Sequence, residues 1–136
     1  MKRIIFICTG NSCRSQIAHG LFREMCNEKF EVFSAGSHPS RVHPAAIKVM
    51  NEVEIDISHH KSDNIEIYMD KNIDIVVTVC DNADKECPAF PGKIKRIHWS
   101  IEDPFKKWSY DKNDLSVFRT TREILKEKIS DLLKTI

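Results

Sequence analysis

The chain has 136 residues, of which 41% are hydrophobic, and this size and composition predict one domain with a single buried core. Its 21 basic and 20 acidic residues are interspersed and leave a formal charge of +1, which argues against a nucleic-acid partner and against a basic membrane-binding face. The apolar run near the start stops at Cys8 and Thr9, too early for a secretory signal, and no stretch reaches the roughly 18 apolar residues of a membrane span. We therefore expect a cytoplasmic, monomeric protein.

Strands and helices alternate along the sequence. The continuous apolar runs at 3–8 and 73–80 are typical of strands buried on both faces, and shorter alternating runs at 30–36 and 93–99 indicate two more strands. Helices are predicted at 15–27, at 44–53 with Pro44 in the first turn, at 63–70 and at 111–134. This order predicts an α/β fold over residues 1–136, a single-domain three-layer α/β/α arrangement with a four-stranded parallel sheet.

The sequence contains five cysteines, many for so small a cytosolic protein, because reducing conditions make structural disulfides rare there. The odd count argues against a secreted disulfide framework. The sequence also lacks the C-x2-C pairs that are typical of structural zinc sites. Catalytic or redox cysteines, or plain buried thiols, remain. Cys8 and Cys80 each end a predicted strand, at the sheet edge where ligands of such folds bind.

The segment from Cys8 to Ser15 joins a buried strand to a helix start and has the composition of an oxyanion-binding loop. Its amide hydrogens can converge on one point, where the positive end of the helix dipole favours an anion. Gly10 and Asn11 tolerate the positive φ that a curved loop needs, and Arg14 adds a planar fork for two oxygens of a tetrahedral oxyanion. The same donors would stabilise Cys8 as a thiolate nucleophile; the alternative is a strand-end cysteine that only packs.

The motif "CTGNSCRS" at 8–15 resembles the signature of the low-molecular-weight protein tyrosine phosphatase fold, and with Gln16 it is most similar to the thioredoxin-coupled arsenate reductases built on that fold. Gln16 stands where the tyrosine phosphatases usually carry proline. The similarity covers essentially the whole chain through "SAG" at 34–36, "DISHHKSD" at 56–63, "VVTVCDNADKECP" at 76–88 and "HWSIEDP" at 98–104. The resemblance implies an oxyanion site formed by Thr9, Gly10, Asn11, Ser12, Cys13 and Arg14.

Cys80 and Cys87 are separated by the polar or small residues "DNADKE", which we interpret as a mobile loop able to bring the two sulfurs within disulfide distance. The alternative is two unrelated thiols. The resemblance implies a relay in which Cys8 attacks arsenate, a Cys8–Cys80 disulfide forms as arsenite leaves, a Cys80–Cys87 disulfide follows, and thioredoxin reduces it. Phosphate and sulfate are expected to compete with arsenate as oxyanions.

The resemblance also implies supporting roles around the nucleophile. Asp103 in "EDP" matches the family's general acid, although an Asp-Pro pair is also an ordinary turn. Ser15 is expected to donate a hydrogen bond to the Cys8 thiolate; its alternative role is that of a helix N-cap, and the two roles can coexist. Cys13 is expected to be structural, and Cys26 is expected to be a small core residue.

A potassium site near the loop is implied as well, with Asn11, Ser34 and Asp63 as matching ligands. His19 stands where a glutamate ligand would be expected. Losing that carboxylate weakens a hard-cation site, so we expect no tightly bound cofactor and little potassium dependence.

Two other functions stay open at the level of sequence. A low-molecular-weight protein tyrosine phosphatase would need only Cys8, Arg14 and Asp103; Gln16, the second cysteine pair and a tail "PFKKW" without paired tyrosines argue against it. A thiol-based sensor or arsenite-binding module could use the same sulfurs. It would leave Arg14 and Asp103 without a role.

Overall fold

The structure, a computed structural model, describes residues 1–27 and 29–136. Its elements in chain order are β1 (Lys2–Cys8), α1 (Arg14–Met25), β2 (Phe30–Gly36), α2 (Pro44–Asn51), a 3₁₀ turn (Ile65–Tyr68), β3 (Ile75–Thr78), α3 (Asp81–Glu86), β4 (Lys95–His98) and α4 (Lys112–Leu133). The strands form a 4-stranded parallel sheet in the order β2-β1-β3-β4. The predicted fold class is therefore confirmed.

β1 lies in the middle of the sheet and is covered on both faces. Ile4, Ile5, Phe6 and Ile7 are all 0% exposed, which explains why this stretch is apolar at every position rather than at alternate ones. The connection from β1 to β2 runs toward one edge of the sheet, and the connection from β3 to β4 runs toward the other edge. Because both connections are right-handed crossovers, α1 and α3 lie on opposite faces of the sheet. α4 packs against α1 and α2.

The strand order reverses between β1 and β3, because the chain leaves these neighbouring strands in opposite directions. Beyond the strands the two segments stay together: Val79 N donates to Ile7 O at 2.8 Å. The crevice outside such a reversal is where doubly wound sheets bind ligands. The structure thus places Cys8 and Cys80 at the sheet edge that the alternation of elements predicts.

Several predicted bounds differ from the structure. β3 is shorter than the strand predicted at 73–80 and ends at Thr78, so Cys80 follows the strand rather than ending it. β4 is likewise shorter than the predicted 93–99. The helix predicted at 63–70 is only the 3₁₀ turn, which begins after the capping residue Asn64.

The segment between Cys80 and Cys87, predicted as a mobile loop, is the helix α3. Cys80 is its N-cap and accepts a hydrogen bond from Ala83 N at 3.3 Å, while Asp81 and Asp84 place negative charge near the helix N-terminus. Ala83 is the buried residue of the helix. The prediction was wrong because a helix with one buried residue has no apolar periodicity to detect.

α4 carries the predicted apolar stripe. Phe118, Leu125, Ile129 and Leu132 are buried, and Leu115 is partly buried against the same core. The helix begins with a capping box between Asp111 and Asp114. Among the helices of the residues that the structure describes, none has the length and apolar character needed to cross a membrane.

Candidate active site

A cavity of about 690 Å³ opens at the carboxyl ends of β1 and β3. The segment from the end of β1 to the start of α1 contributes Cys8, Thr9, Gly10, Ser12, Cys13 and Arg14 to its wall. The start of α3 contributes Cys80, and the loop after β4 contributes Asp103. The structure therefore brings the predicted nucleophile, second cysteine, guanidinium and acid to one cavity.

Asn11 shapes the loop from behind rather than lining the cavity. Its backbone has φ of 48°, in the left-handed region that the sequence allowed for Gly10 and Asn11, and Asn11 is the residue of the two that adopts it. The Asn11 side chain is 0% exposed, and its Oδ1 accepts from Asp63 N at 3.0 Å. Gly36 is required beneath the loop, since a Cβ at this position would lie 2.4 Å from Thr9 O.

Cys8 is buried at the base of the cavity, with its Sγ 2.9 Å from Ser15 Oγ. Asn11 Nδ2 donates to the same Ser15 oxygen at 2.7 Å. Because that amide can only donate, the hydroxyl hydrogen is left to point at the sulfur. The hydrogen bond expected between Ser15 and Cys8 is present, whereas the N-cap role is wrong: Cys13 holds the N-cap position of α1.

Arg14 extends across the cavity to the loop after β4. Its Nη1 donates to Ile101 O at 2.8 Å, and its Nη2 lies 3.4 Å from Asp103 Oδ2. Asp103 is more exposed than Arg14 (52% against 12% of the side chain) and also accepts from Phe105 N at 3.0 Å. Asp103 is therefore a turn residue, as one alternative had it, and also a carboxylate at the cavity rim; its role as a general acid stays a prediction.

Cys80 faces the cavity from the N-terminus of α3. Its Sγ accepts from Ala83 N and lies 3.5 Å from Thr9 Oγ1. Asn82 Nδ2 donates to the Thr9 oxygen at 3.2 Å, which leaves the Thr9 hydroxyl hydrogen for the Cys80 sulfur. The first turn of α3 and the Thr9 hydroxyl together fix the position of this sulfur at the cavity wall.

Cys87 lies at the other end of α3, outside the cavity. All five cysteines are free thiols, and burial raises the pKa of the Cys87 thiol, whose Sγ donates to Pro88 O at 3.5 Å. Cys80 and Cys87 flank the six residues of α3. The seven residue steps between them span about 10 Å at the rise of an α-helix, beyond the roughly 7 Å that a disulfide tolerates between Cα atoms. A Cys80–Cys87 disulfide therefore requires α3 to unwind.

The family model described as low molecular weight phosphotyrosine protein phosphatase matches residues 3–136. The chain belongs to this family. Within it, the chain is 52% identical to an arsenate reductase of Staphylococcus xylosus over 109 residues, which are 79% of this chain and 83% of that protein.

Two solved structures show how close the likeness is. One, described as an arsenate reductase in the phosphate binding state, has a TM-score of 0.84 and 39% identity, with coverage of 100% of this chain and 99% of its own. The other, the thioredoxin-dependent arsenate reductase of Corynebacterium glutamicum, has a TM-score of 0.77 and 28% identity, and covers 99% of this chain and 61% of its own.

The outer wall of the cavity in this phosphatase-family fold includes two aromatic residues that sequence reasoning did not select, Phe105 and Trp108. Their rings pack edge to face at 5.0 Å, and both contact the buried His43. The Arg41 guanidinium lies 4.3 Å from the Trp108 ring centroid. The sequence signal for Phe105 and Trp108 as cavity residues was their position shortly after Asp103.

The remaining two cysteines differ in their surroundings. Cys13 lines the cavity, but burial raises the pKa of its thiol to about 12, so it stays protonated at neutral pH. Cys26 is 4% exposed and belongs to the hydrophobic core, as predicted.

The residues at the implied potassium site do not fit the ion. His19 Nδ1 hydrogen-bonds Ser34 Oγ at 2.8 Å, and its ring stacks on His60 with centroids 4.5 Å apart. Burial lowers the pKa of His19 to about 3, so a neutral ring stands where a negative oxygen donor would be needed. Asn11 Oδ1 and Asp63 Oδ2 each accept one hydrogen bond, from Asp63 N at 3.0 Å and from Tyr68 Oη at 2.8 Å, so His19 is the position at which the oxygen donor is missing.

Proposed function

We propose that this chain is an arsenate reductase that uses Cys8, Cys80 and Cys87 in relay and is re-reduced by thioredoxin. The observation that carries the proposal is that Cys8 and Cys80 line one cavity together with Arg14. The relatives named arsenate reductases support the substrate, and the thioredoxin-dependent relative supports the reductant. We place the reaction in the cytoplasm, where thiols are kept reduced.

The residues from Thr9 to Arg14 bind arsenate in this proposal. Amide hydrogens at the start of α1 and the Arg14 guanidinium would hold a tetrahedral oxyanion above the Cys8 sulfur. Asp103 lies beside Arg14 at the rim, where a protonated carboxyl could reach an oxygen of the bound anion. Phosphate and sulfate share this geometry and should compete.

The first chemical step is attack by the Cys8 thiolate on arsenic. A sulfur–arsenic bond forms, and one arsenate oxygen leaves as water after Asp103 protonates it. Ser15 donates to the sulfur and orients it for the attack.

The second step is attack by the Cys80 thiolate on the Cys8 sulfur. A Cys8–Cys80 disulfide forms as the sulfur–arsenic bond breaks, and the bonding electron pair goes to arsenic, which leaves as arsenite. Arsenic is thus reduced by two electrons while two thiols are oxidised. Phosphate cannot accept these electrons, so this step separates reductase from phosphatase chemistry.

In the third step Cys87 attacks the Cys80 sulfur and releases Cys8 as a thiolate. Because Cys87 stands at the far end of α3, this step requires the helix to unwind. The product disulfide would then lie on a flexible segment that an external dithiol can reach. This motion replaces the permanently mobile loop inferred from the sequence.

The test is arsenate-dependent oxidation of NADPH with thioredoxin and thioredoxin reductase. We expect Cys80→Ser and Cys87→Ser to abolish turnover, whereas Cys26→Ser, a matched change in the core, retains it. In a single turnover without thioredoxin, Cys87→Ser should still release one arsenite per enzyme and Cys80→Ser none. Turnover that survives both active-site substitutions would contradict the relay.

A further inference from the structure

The third step of the proposed relay makes α3 the moving part of the enzyme. The helix has six residues, and helices shorter than about 12 residues are marginal on their own. Its one buried residue, Ala83, supplies little apolar contact area. The folded state of α3 must therefore depend on contacts with the rest of the molecule.

A polar network on the sheet supplies those contacts. It joins Asp81 and Asp84 of α3 to Thr78 of β3 and to Arg96 and His98 of β4; we call these residues the α3 clamp. His98 Nε2 lies 2.8 Å from Asp81 Oδ1, and His98 Nδ1 lies 2.9 Å from Thr78 Oγ1. Arg96 Nη2 donates to Asp84 O at 2.6 Å and to Asp84 Oδ1 at 3.2 Å.

The carboxylates fix part of the hydrogen-bond pattern in the α3 clamp. A carboxylate only accepts, so His98 Nε2 donates to Asp81 Oδ1. The Thr78 hydroxyl lies 3.0 Å from Asp84 Oδ1 and 2.9 Å from His98 Nδ1, within hydrogen-bond distance of both. His98 thus ties the first turn of α3 to the ends of β3 and β4.

Asp81 is the first residue of α3 and directly follows Cys80, and Asp84 is the fourth residue of the same helix. The α3 clamp therefore holds the helix between Cys80 and Cys87, which is the segment that must unwind. Holding it keeps the Cys80 sulfur at the helix N-terminus and beside Thr9. It also keeps Cys87 buried, with a pKa raised by that burial. One set of contacts therefore favours the second step of the relay and restrains the third.

We propose that His98, assisted by Arg96, is a positioning residue that holds α3 folded and so limits the rate at which Cys87 reaches Cys80. This inference rests on the proposed function, because it assigns the timing of its third step. His98 touches neither the oxyanion loop nor the reacting sulfurs in the contacts that the described residues make. Its effect passes through Asp81 and the fold of α3.

The first test uses the reduced protein without arsenate. Reaction of Cys87 with a thiol reagent, followed site by site by mass spectrometry, reports the opening of α3, and the buried Cys26 serves as an internal reference for global unfolding. We expect Cys87 of His98→Ala to be labelled about tenfold faster than Cys87 of wild type, because the hydrogen bonds of His98 to Asp81 and Thr78 are lost. The labelling rate of Cys26 should not change. His98→Gln, which keeps one donor, should fall between them, and His59→Ala, an exposed histidine outside the clamp, should match wild type.

A double substitution tests whether His98 acts through Asp81. Asp81→Ala should accelerate Cys87 labelling, and the His98→Ala/Asp81→Ala double variant should label little faster than either single variant, because the same contact is removed once. If the acceleration of Cys87 labelling in the double variant equalled the product of the two single accelerations, the proposed action of His98 through Asp81 would be contradicted. Equal acceleration of Cys26 would show a general loss of stability and would also overturn the inference.

The second test follows arsenate in single turnovers. We expect His98→Ala to release arsenite more slowly than wild type, since Cys80 is held less well, while conversion of the Cys8–Cys80 to the Cys80–Cys87 disulfide becomes faster. Unchanged Cys87 labelling and an unchanged conversion rate would refute the role of His98 while leaving the reductase proposal intact. Failure of the wild type to release arsenite would refute the reductase proposal, and the labelling result would still stand.

Discussion

The Ser15 hydroxyl lies 2.9 Å from the Cys8 sulfur and at the same time 2.7 Å from Asn11 Nδ2. Asn11 is fixed in turn by Asp63 N and by its left-handed backbone. A continuous series of hydrogen bonds thus runs from the turn in the loop to the proposed nucleophile. The orientation of the sulfur and the shape of the loop therefore depend on one another.

This relationship predicts the effect of Ser15→Ala. The variant loses the hydrogen bond to the thiolate and leaves the Asn11 amide without its acceptor, so we expect the first arsenite to form about 10- to 100-fold more slowly in a single turnover. Arsenate binding should change little, because Ser15 does not contribute to the described cavity wall. Ser116→Ala, on the exposed side of α4, is the control; an unchanged rate for Ser15→Ala would argue against a role in activating Cys8.

Arg14→Lys tests the oxyanion grip. Lysine keeps the charge but loses the planar fork and the bond to Ile101 O, so we expect KM for arsenate and the inhibition constant for phosphate to rise together, by roughly tenfold or more. Steady-state kinetics with phosphate as inhibitor measures both constants. Arg119→Lys, on α4, should leave them as in wild type. A rise for arsenate alone would mean that the two anions do not share the site.

Glu52 predicts a pH-dependent contribution to stability. Hydrogen bonds from Arg119, and then from Arg122, lower the pKa of Glu52 from 4.5 to about 2 and join the end of α2 to α4. The folded-state pKa lies below the unfolded one, so the stabilisation is complete above about pH 4.5 and is lost as the pH falls toward 2. Glu52→Gln should lower the free energy of unfolding by about 1 kcal/mol at pH 7, after allowance for partial exposure, and by progressively less below pH 4.5.

Urea denaturation at several pH values measures this difference. Glu127→Gln, an exposed change on α4, provides the comparison and should show no such trend. If the free energies of unfolding of wild type and Glu52→Gln differed by the same amount from pH 7 to pH 2, Glu52 would stabilise the protein through its shape and not through its charge.

The sequence predicted those parts of the fold whose cause is local. β1 is apolar throughout because both of its faces are buried, and β2 runs over the 30–36 interval predicted for it. The loop from Cys8 to Arg14 was found because its residue types carry its chemistry directly. The expected hydrogen bond from Ser15 to Cys8 is present, and it joins two residues of one short stretch of chain.

α3 was missed because its local signals are weak and much of what holds it is distant in sequence. Six mostly polar residues after a strand are typical of a loop. The Cys80 cap is local, but Arg96 and His98 of β4 bind the side chains and backbone of the helix. The engagement of Ser34 by His19 is equally long-range. Such contacts between distant positions leave no spacing or periodicity from which a single sequence could predict them.

His19 finally predicts how this chain responds to potassium. Because a neutral imidazole bonds Ser34 Oγ, we expect the wild-type Tm to be the same in KCl and in NaCl of equal concentration. His19→Glu places a carboxylate beside Ser34, one of the implied ligands, so this variant should melt at a higher temperature in KCl than in NaCl, as binding to the folded state requires. The comparison is made within one variant, so any stability lost through the substitution itself cancels. His59→Glu, at an exposed position, should show no preference, and a higher wild-type Tm in KCl would contradict the exclusion of potassium by His19.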